Sequence, residues 1–294
     1  MTPDTFLNGD FLHQLEKLSV LAKKPVSGHL RGQHRSKRTG AGMIFSDYRP
    51  YVAGDDTHNL DWGIYLRLDR LILRLFEEEA DLPVYVFLDI SQSMNFGHPN
   101  KMKFAQKFAA ALAYVSLMNH DRVSLVTYAD DIVNVVPARR GNKQLWRTMH
   151  ALDQVSVGGK TDLRRSLAHY FGAKRSRGLV VVVSDFLEDD TPEASLKILS
   201  NLRHEVFAIH VNSPDERSPD LSDEVLLMDS EGSDVVDAQL TPQLVSQYEK
   251  EFYNFGDQLE RLLKKTGWGY LRAGTDVPLE SLFFTILREK GLFR

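Results

Sequence analysis

At 294 residues the chain has room for one large α/β domain with an accessory region, or for two ordinary domains. Hydrophobic residues make up 43% and charged residues 26%, the balance of a globular protein with a sizeable core, which excludes collagen-like, low-complexity and wholly disordered architectures. A net charge of -4 gives no global attraction to nucleic acid or anionic membrane, and the absence of cysteine removes disulfides, thiolate metal sites and cysteine nucleophiles together. The N-terminal residues carry neither the basic nor the apolar region of a signal peptide, and no uncharged apolar run approaches the ~18 residues of a spanning helix. The sequence therefore reads as cytoplasmic, without membrane insertion.

In chain order, a helix is predicted around Phe11–Leu21. It is followed by a Gly-containing loop from Lys23 to Gly42 that holds six Lys or Arg, two His and no acid. Arg31, Arg35, Lys37 and Arg38 are the candidate partner contacts of this segment, suited to an acidic protein face. Nucleic acid is the weaker reading, because no aromatic residue is interleaved to stack on bases. Next come Tyr48-Arg49-Pro50-Tyr51, the turn Gly54-Asp55-Asp56, Trp62 and a β-like run Leu71–Phe76 that leads into Glu77-Glu78-Glu79. Asp55, Asp56, His58 and Asp61 fit a capped turn better than a metal site. Residues 1–80 are thus expected to form a helix, a basic loop and a β-rich accessory region.

Residues 81–294 alternate apolar runs with amphipathic stretches, the signature of a doubly wound, mainly parallel sheet. Strands are predicted at Val84–Leu88, Val123–Tyr128, Leu179–Val183, Val206–Val211 and Val225–Met228, with Ile132–Pro137 hairpinned onto the second of them. The continuous apolar character of Val84–Leu88 marks a strand covered on both faces, and Leu179–Val183 is the most apolar strand of all. Between them, Phe104, Phe108, Leu112 and Val115 define one helix, and Leu145, Met149 and Leu152 another. Asp162 caps a third, carrying Leu163, Leu167 and Phe171, and Thr191-Pro192 opens a fourth through Leu196, Leu199 and Leu202. A long helix begins at Thr241-Pro242 and stops before Gly267, with Tyr248, Phe252 and Phe255 expected in the core.

Chemistry concentrates at strand ends. Asp89-Ile90-Ser91-Gln92-Ser93 follows the first strand at its carboxyl end, where such sheets bind ligands. Alternation can aim Asp89, Ser91 and Ser93 into one pocket. Asp185 ends a strand that should neighbour the first, and Thr161, in the loop Gly158-Gly159-Lys160-Thr161-Asp162, can add a third hydroxyl. Two carboxylates and three hydroxyls form an all-oxygen set suited to Mg²⁺ or Mn²⁺. Such a site holds its ion loosely, keeps waters and gains from an added acidic ligand.

These five residues, in this order, resemble the metal-ion-dependent adhesion site of the von Willebrand factor type A domain. The resemblance implies a sheet with one antiparallel edge strand. It also implies metal contacts from Ser91, Ser93 and Thr161, water-mediated roles for Asp89 and Asp185, and a sixth ligand from an acidic residue of a partner. Upstream, Tyr48-Arg49-Pro50-Tyr51, Gly54-Asp55-Asp56, Leu60-Asp61-Trp62 and Leu73-Arg74-Leu75-Phe76-Glu77 resemble the conserved block of the bacterial domain-of-unknown-function family 58. Many members of that family are encoded beside MoxR-type AAA+ ATPases, which implies an adaptor between such an ATPase and a client, not an enzyme.

The competing readings are weaker. Gly159-Lys160-Thr161 resembles the end of a P-loop, but the first glycine of that motif would fall at Gln154. An aspartyl-phosphate phosphatase needs a second aspartate where Ser91 stands, and no Gly-x-Ser-x-Gly elbow supports a hydrolase triad. A phosphatase-like metal-dependent hydrolase and a nucleic-acid binder using the basic loop remain the alternatives.

Overall fold

The computed structural model describes residues 11, 13–18, 39–77, 83–188, 192–201, 203–219, 225–228, 235–238 and 242–286. The chain divides into two units, residues 82–293 together with residues 1–26, and residues 27–81.

The larger unit is built on a six-stranded sheet. Its strands are β3 (Pro83–Asp89), β4 (Arg122–Tyr128), β5 (Ile132–Arg139), β6 (Leu179–Ser184), β7 (Glu205–Asn212) and β10 (Gly269–Gly274), in the order β10-β7-β6-β3-β4-β5. Every pairing is parallel except that of β4 with the edge strand β5. The connecting helices are α3 (Lys101–Met118), α4 (Asn142–Asp153), α5 (Leu163–Gly172), α6 (Pro192–Asn201), the short α7 (Pro214–Arg217), α8 (Pro242–Lys265) and α9 (Leu279–Thr285). A separate antiparallel pair joins β8 (Val225–Met228) to β9 (Val235–Ala238). This is the doubly wound, mainly parallel sheet with one antiparallel edge strand that the type A resemblance implies.

The pleat explains why the central strands are apolar throughout. Successive side chains of β3 point to opposite faces, and both faces are covered by helices. Val84, Val86 and Leu88 join Val181, Val183, Ile209 and Val211 in one core with Phe108, Leu112, Met149 and Phe283. Tyr85 and Phe87 join Val180, Val182 and Ala208 in the other, with Leu167, Tyr170, Phe171, Leu199 and Leu259. Helix α3 lies in the first core and is buried on nearly all sides. Its run of Ala109, Ala110, Ala111 and Ala113 is fully buried. Residues 13–18 form a helix, α1, whose Leu15 and Leu18 belong with Phe11 to that same core. This places α1 with the sheet, whereas the sequence groups it with the accessory region.

The smaller unit contains β1 (Thr39–Pro50), paired antiparallel with β2 (Ile72–Glu77). Strand β1 begins within the segment expected to be a loop up to Gly42, since Thr39–Gly42 are already extended. The stretch Trp62–Leu68 is a helix, α2, to which the sequence reading assigns no element of its own. The Asp61 carboxylate accepts from the Ile64 N–H at 3.1 Å and caps the start, and Asp69 in the left-handed region (φ 49) ends it. The turn Gly54-Asp55-Asp56 holds as read. Arg49 donates twice to Asp55 at 2.7 Å, and Asp56 caps a 3₁₀ turn over Thr57–Asn59, so these acids are engaged in the turn itself.

Two further differences concern the carboxyl-terminal part. The parallel edge strand β10 has no counterpart in the sequence reading, nor does β9. Tyr248 is 43% exposed and not a core residue, Phe252 is half-buried, and only Phe255 packs against the second core. The basic residues Arg31, Arg35, Lys37 and Arg38, the N-cap residues Thr191 and Thr241, and Leu202 lie outside the described residues. Among those described, no helix is long and apolar enough to cross a membrane.

Candidate functional site

The chain leaves β3 toward β4 on one side, while β6, β7 and β10 extend the sheet on the other. The order therefore reverses between β3 and β6, and ligands of open α/β sheets bind in the crevice at the carboxyl ends of such a pair. Asp89 ends β3 and Asp185 follows β6 directly, so the topology brings these two carboxylates to that crevice. Asp89 is 0% and Asp185 2% exposed.

The loop after β3 folds back on its own carboxylate. The Ser91 N–H donates to Asp89 Oδ1 at 2.9 Å, and the Ser91 and Ser93 hydroxyls lie 3.0 Å apart, both buried. Ser184, at the end of β6, donates to Asp89 Oδ2 at 2.6 Å and itself accepts from the Phe186 N–H. Asp185 Oδ1 accepts from the Leu187 N–H at 3.2 Å. The Thr161 loop is fastened to this turn by two backbone bonds, Gln92 N–H to the Gly159 carbonyl (3.0 Å) and Gly158 N–H to the Ile90 carbonyl (2.9 Å). Thr161 itself is 8% exposed, and Asp162 caps α5 by accepting from the Arg165 N–H. Hydrogen bonds thus link Asp89, Ser91 and Ser93, Asp185 lies close enough for its charge to act on Asp89, and the loop bearing Thr161 is anchored to their turn.

Lys101, which the sequence reading did not single out, also belongs to this site. It is the first residue of α3, yet it is buried. Its ammonium donates to Asp185 Oδ2 at 2.7 Å and to Glu216 Oε1 of α7. Burial alone would lower the Lys101 pKa, but Asp185 and Glu216 outweigh it and hold the group above its ordinary value. Glu216 is fixed in turn by a capping box with Ser213, whose N–H donates to Oε2 at 2.8 Å. The only sequence signal for Lys101 is its position behind the Asn100 cap, which marks a helix start and nothing more.

The electrostatics of the crevice suit a cation. Burial, and next the neighbouring Asp185 charge, push the Asp89 carboxyl up to about 7. Two crowded carboxylates of which one is driven toward neutrality, together with three hydroxyls, fit a hard divalent ion such as Mg²⁺ or Mn²⁺. Among the described residues no group of three or more His, Cys, Asp or Glu is placed to hold a metal. A cation held by these residues would therefore depend on the hydroxyls.

The loop that continues from Ser93 into α3 is tightly seated. Gly97 has φ +86, and a Cβ there would lie 2.3 Å from Ser213 Cβ. Gly97→Ala is expected to lower the unfolding free energy by about 2 kcal/mol or more, combining left-handed strain with an overpacked contact. Urea denaturation reads this directly, and a loss under about 0.5 kcal/mol would show that the loop yields freely.

The sheet topology, with an Asp-x-Ser-x-Ser turn at its switch point, defines a von Willebrand factor type A-like domain. The chain belongs to the family described as "Protein of unknown function DUF58", which it matches over residues 47–254. An uncharacterized protein of Mycobacterium tuberculosis, Rv1480, is 27% identical over 285 residues, spanning 93% of this chain and 89% of its own length. Among solved structures, an aerotolerance-related membrane protein from Bacteroides fragilis aligns with 71% of this chain and 98% of its own, at 18% identity and a TM-score of 0.46. BatB from Bacteroides thetaiotaomicron aligns over the same shares at 13% identity and a TM-score of 0.46.

Proposed function

We propose that this protein is a binding module whose oxygen-lined crevice holds Mg²⁺ or Mn²⁺ and, through it, an acidic side chain of a partner protein, with no catalytic role of its own. The observation that carries this reading is the pair of buried carboxylates, Asp89 and Asp185, brought to the switch point beside the Ser91–Ser93 hydroxyl pair. A bound divalent cation supplies the charge that lets anionic groups of two proteins share one site. Ser91, Ser93 and Thr161 would contact it, and Asp89 and Asp185 would orient its waters. Ser184 and the Ser91 N–H hold Asp89 in place for that task, as Lys101 and the Leu187 N–H hold Asp185.

The partner that the family resemblance implies is a MoxR-type AAA+ ATPase, and this chain would act in the cytoplasm as its adaptor to a client. Arg31, Arg35, Lys37 and Arg38 would meet an acidic face of that ATPase. Capture of partners with and without EDTA, comparing wild type with Asp89→Ala, tests the adaptor role. Metal-dependent recovery of an ATPase supports it, and recovery of RNA or DNA instead would favour a nucleic-acid clamp.

The cation itself is tested by melting. Mg²⁺ or Mn²⁺ should stabilise the wild type by ~1–3 kcal/mol at concentrations some tens to hundreds of times the dissociation constant. Asp89→Ala, Ser91→Ala and Thr161→Ala should each abolish the shift. The same shift in all three variants would remove the metal assignment. Turnover of ATP or a phosphoester that copurifies with the protein and is lost in Asp89→Asn would put a hydrolase in its place.

A further inference from the structure

A lysine at the first position of a helix normally extends into water, because a buried ammonium loses its hydration and needs close anionic partners to offset that loss. Lys101 does the opposite. Its side chain is 1% exposed and is shared between Asp185, a carboxylate of the cation crevice, and Glu216, which belongs to α7. Both acids are drawn in from distant parts of the chain, Asp185 by the end of β6 and Glu216 by the capping box that follows β7.

We infer that Lys101 is the resident counter-cation of this site. Its ammonium holds Asp185 and Glu216 in place when no divalent ion is bound, and it weakens the binding of that ion by opposing its charge. The inference rests on the cation-binding reading proposed above and concerns how tightly the site binds.

The argument follows from the charges. Asp89, Asp185 and Glu216, when ionised, contribute three negative charges and Lys101 one positive charge within one close cluster, of which Glu216 is the partly exposed member. A divalent ion entering beside Asp185 is attracted by the acids and repelled by the ammonium, and in a water-poor crevice neither effect is strongly screened. Glu216 offsets Lys101, so the two residues should act on affinity with opposite sign. Replacing Lys101 by an uncharged residue of similar length raises the negative charge facing the ion. Replacing Glu216 by glutamine leaves the ammonium on Asp185 alone. An ion pair that served only to fasten α3 and α7 together would not produce opposite shifts.

Titration calorimetry with Mg²⁺ on the full chain, for wild type, Lys101→Met and Glu216→Gln, decides the matter. Lys101→Met should bind Mg²⁺ at least about tenfold more tightly than wild type, and Glu216→Gln several-fold more weakly. Binding by Lys101→Met with none by wild type carries the same conclusion. If Lys101→Met folds only with Mg²⁺ present, that dependence supports the inference, and the weakened affinity of Glu216→Gln is then measured alone. Equal affinity in wild type and both variants would overturn the role of Lys101 while leaving the cation site standing. No binding by any of the three would overturn the cation site and this inference together.

Discussion

Phe87→Ala should lower the unfolding free energy by about 3–5 kcal/mol, a large share of the roughly 5–15 kcal/mol that stabilises a typical protein. Phe87 is 0% exposed on the central strand β3, at the middle of the second core. Its ring meets Tyr170 edge-on at 5.3 Å, stacks on Phe171 at 5.8 Å and lies 6.1 Å from Tyr128. Truncation removes all three ring contacts at once, and the surrounding β strands and α5 cannot collapse far enough to refill the space. Equilibrium denaturation in urea measures the loss, with Val133→Ala, at a 61% exposed position on the edge strand, as a control expected to change stability by less than about 0.5 kcal/mol. A loss below about 1 kcal/mol for Phe87→Ala would mean that this aromatic cluster is not close-packed.

The second large effect is a pair of opposed pH dependences. Asp89 has its folded pKa raised to about 7 against an ordinary 3.8, so in the cation-free protein the folded state holds a proton that the unfolded state has lost. That contribution is fully present below the unfolded value and disappears as pH rises through 7, at most about 4 kcal/mol. His210 behaves in the reverse sense. Burial lowers it from 6.5 to about 4, with its Nδ1 2.8 Å from the Tyr270 hydroxyl, so its contribution is present above 6.5 and is lost as pH falls through 4, at most about 3 kcal/mol.

The two largely cancel in the wild type between pH 4 and 6.5. Asp89→Asn leaves the His210 contribution alone, and its stability should rise with pH across that window relative to wild type. His210→Gln leaves the Asp89 contribution, and its stability should fall as pH rises toward 7. Asp121, pushed up to about 6 by burial, is common to all three proteins and drops out of the differences. If Mg²⁺ binds as proposed, saturating Mg²⁺ should remove the Asp89 dependence, since the ion favours the carboxylate. Parallel stability curves for the three proteins would show that neither group titrates as assigned.

The residues proposed to hold the cation stand at or beside strand ends and helix starts that carry local signals in the sequence. The Val-rich run of β6 ends in Ser184-Asp185, the strand before Asp89 is continuously apolar, and Asp162 caps α5 just after Thr161. Lys101 had no such signal. In Lys101-Met102-Lys103-Phe104 it reads as a solvated first turn, and its burial is decided by Asp185 and Glu216, which lie 84 and 115 residues further along the chain.

The other omissions have the same cause. Strand β10, Gly-Tyr-Leu-Arg-Ala-Gly, lacks a continuous apolar run, and its pairing with β7 depends on the space beside Phe207. A Cβ on Gly269 would meet that ring at 2.1 Å. Helix α2 has no buried stripe for periodicity to report, since Trp62, Leu66 and Leu68 are 57%, 83% and 64% exposed. Tyr248 has the helical spacing of a core residue, and yet the first half of α8 extends beyond the sheet's second core, which takes up only Leu259, Leu263 and the flanking Phe255. The sequence by itself determined the alternation of strands and helices, the caps and the oxygen-bearing residues, because apolar periodicity and turn chemistry act over a few residues. Only the tertiary structure decided the sixth strand, the face that α8 buries and the ammonium beside Asp185, because these depend on which distant surfaces exclude water together.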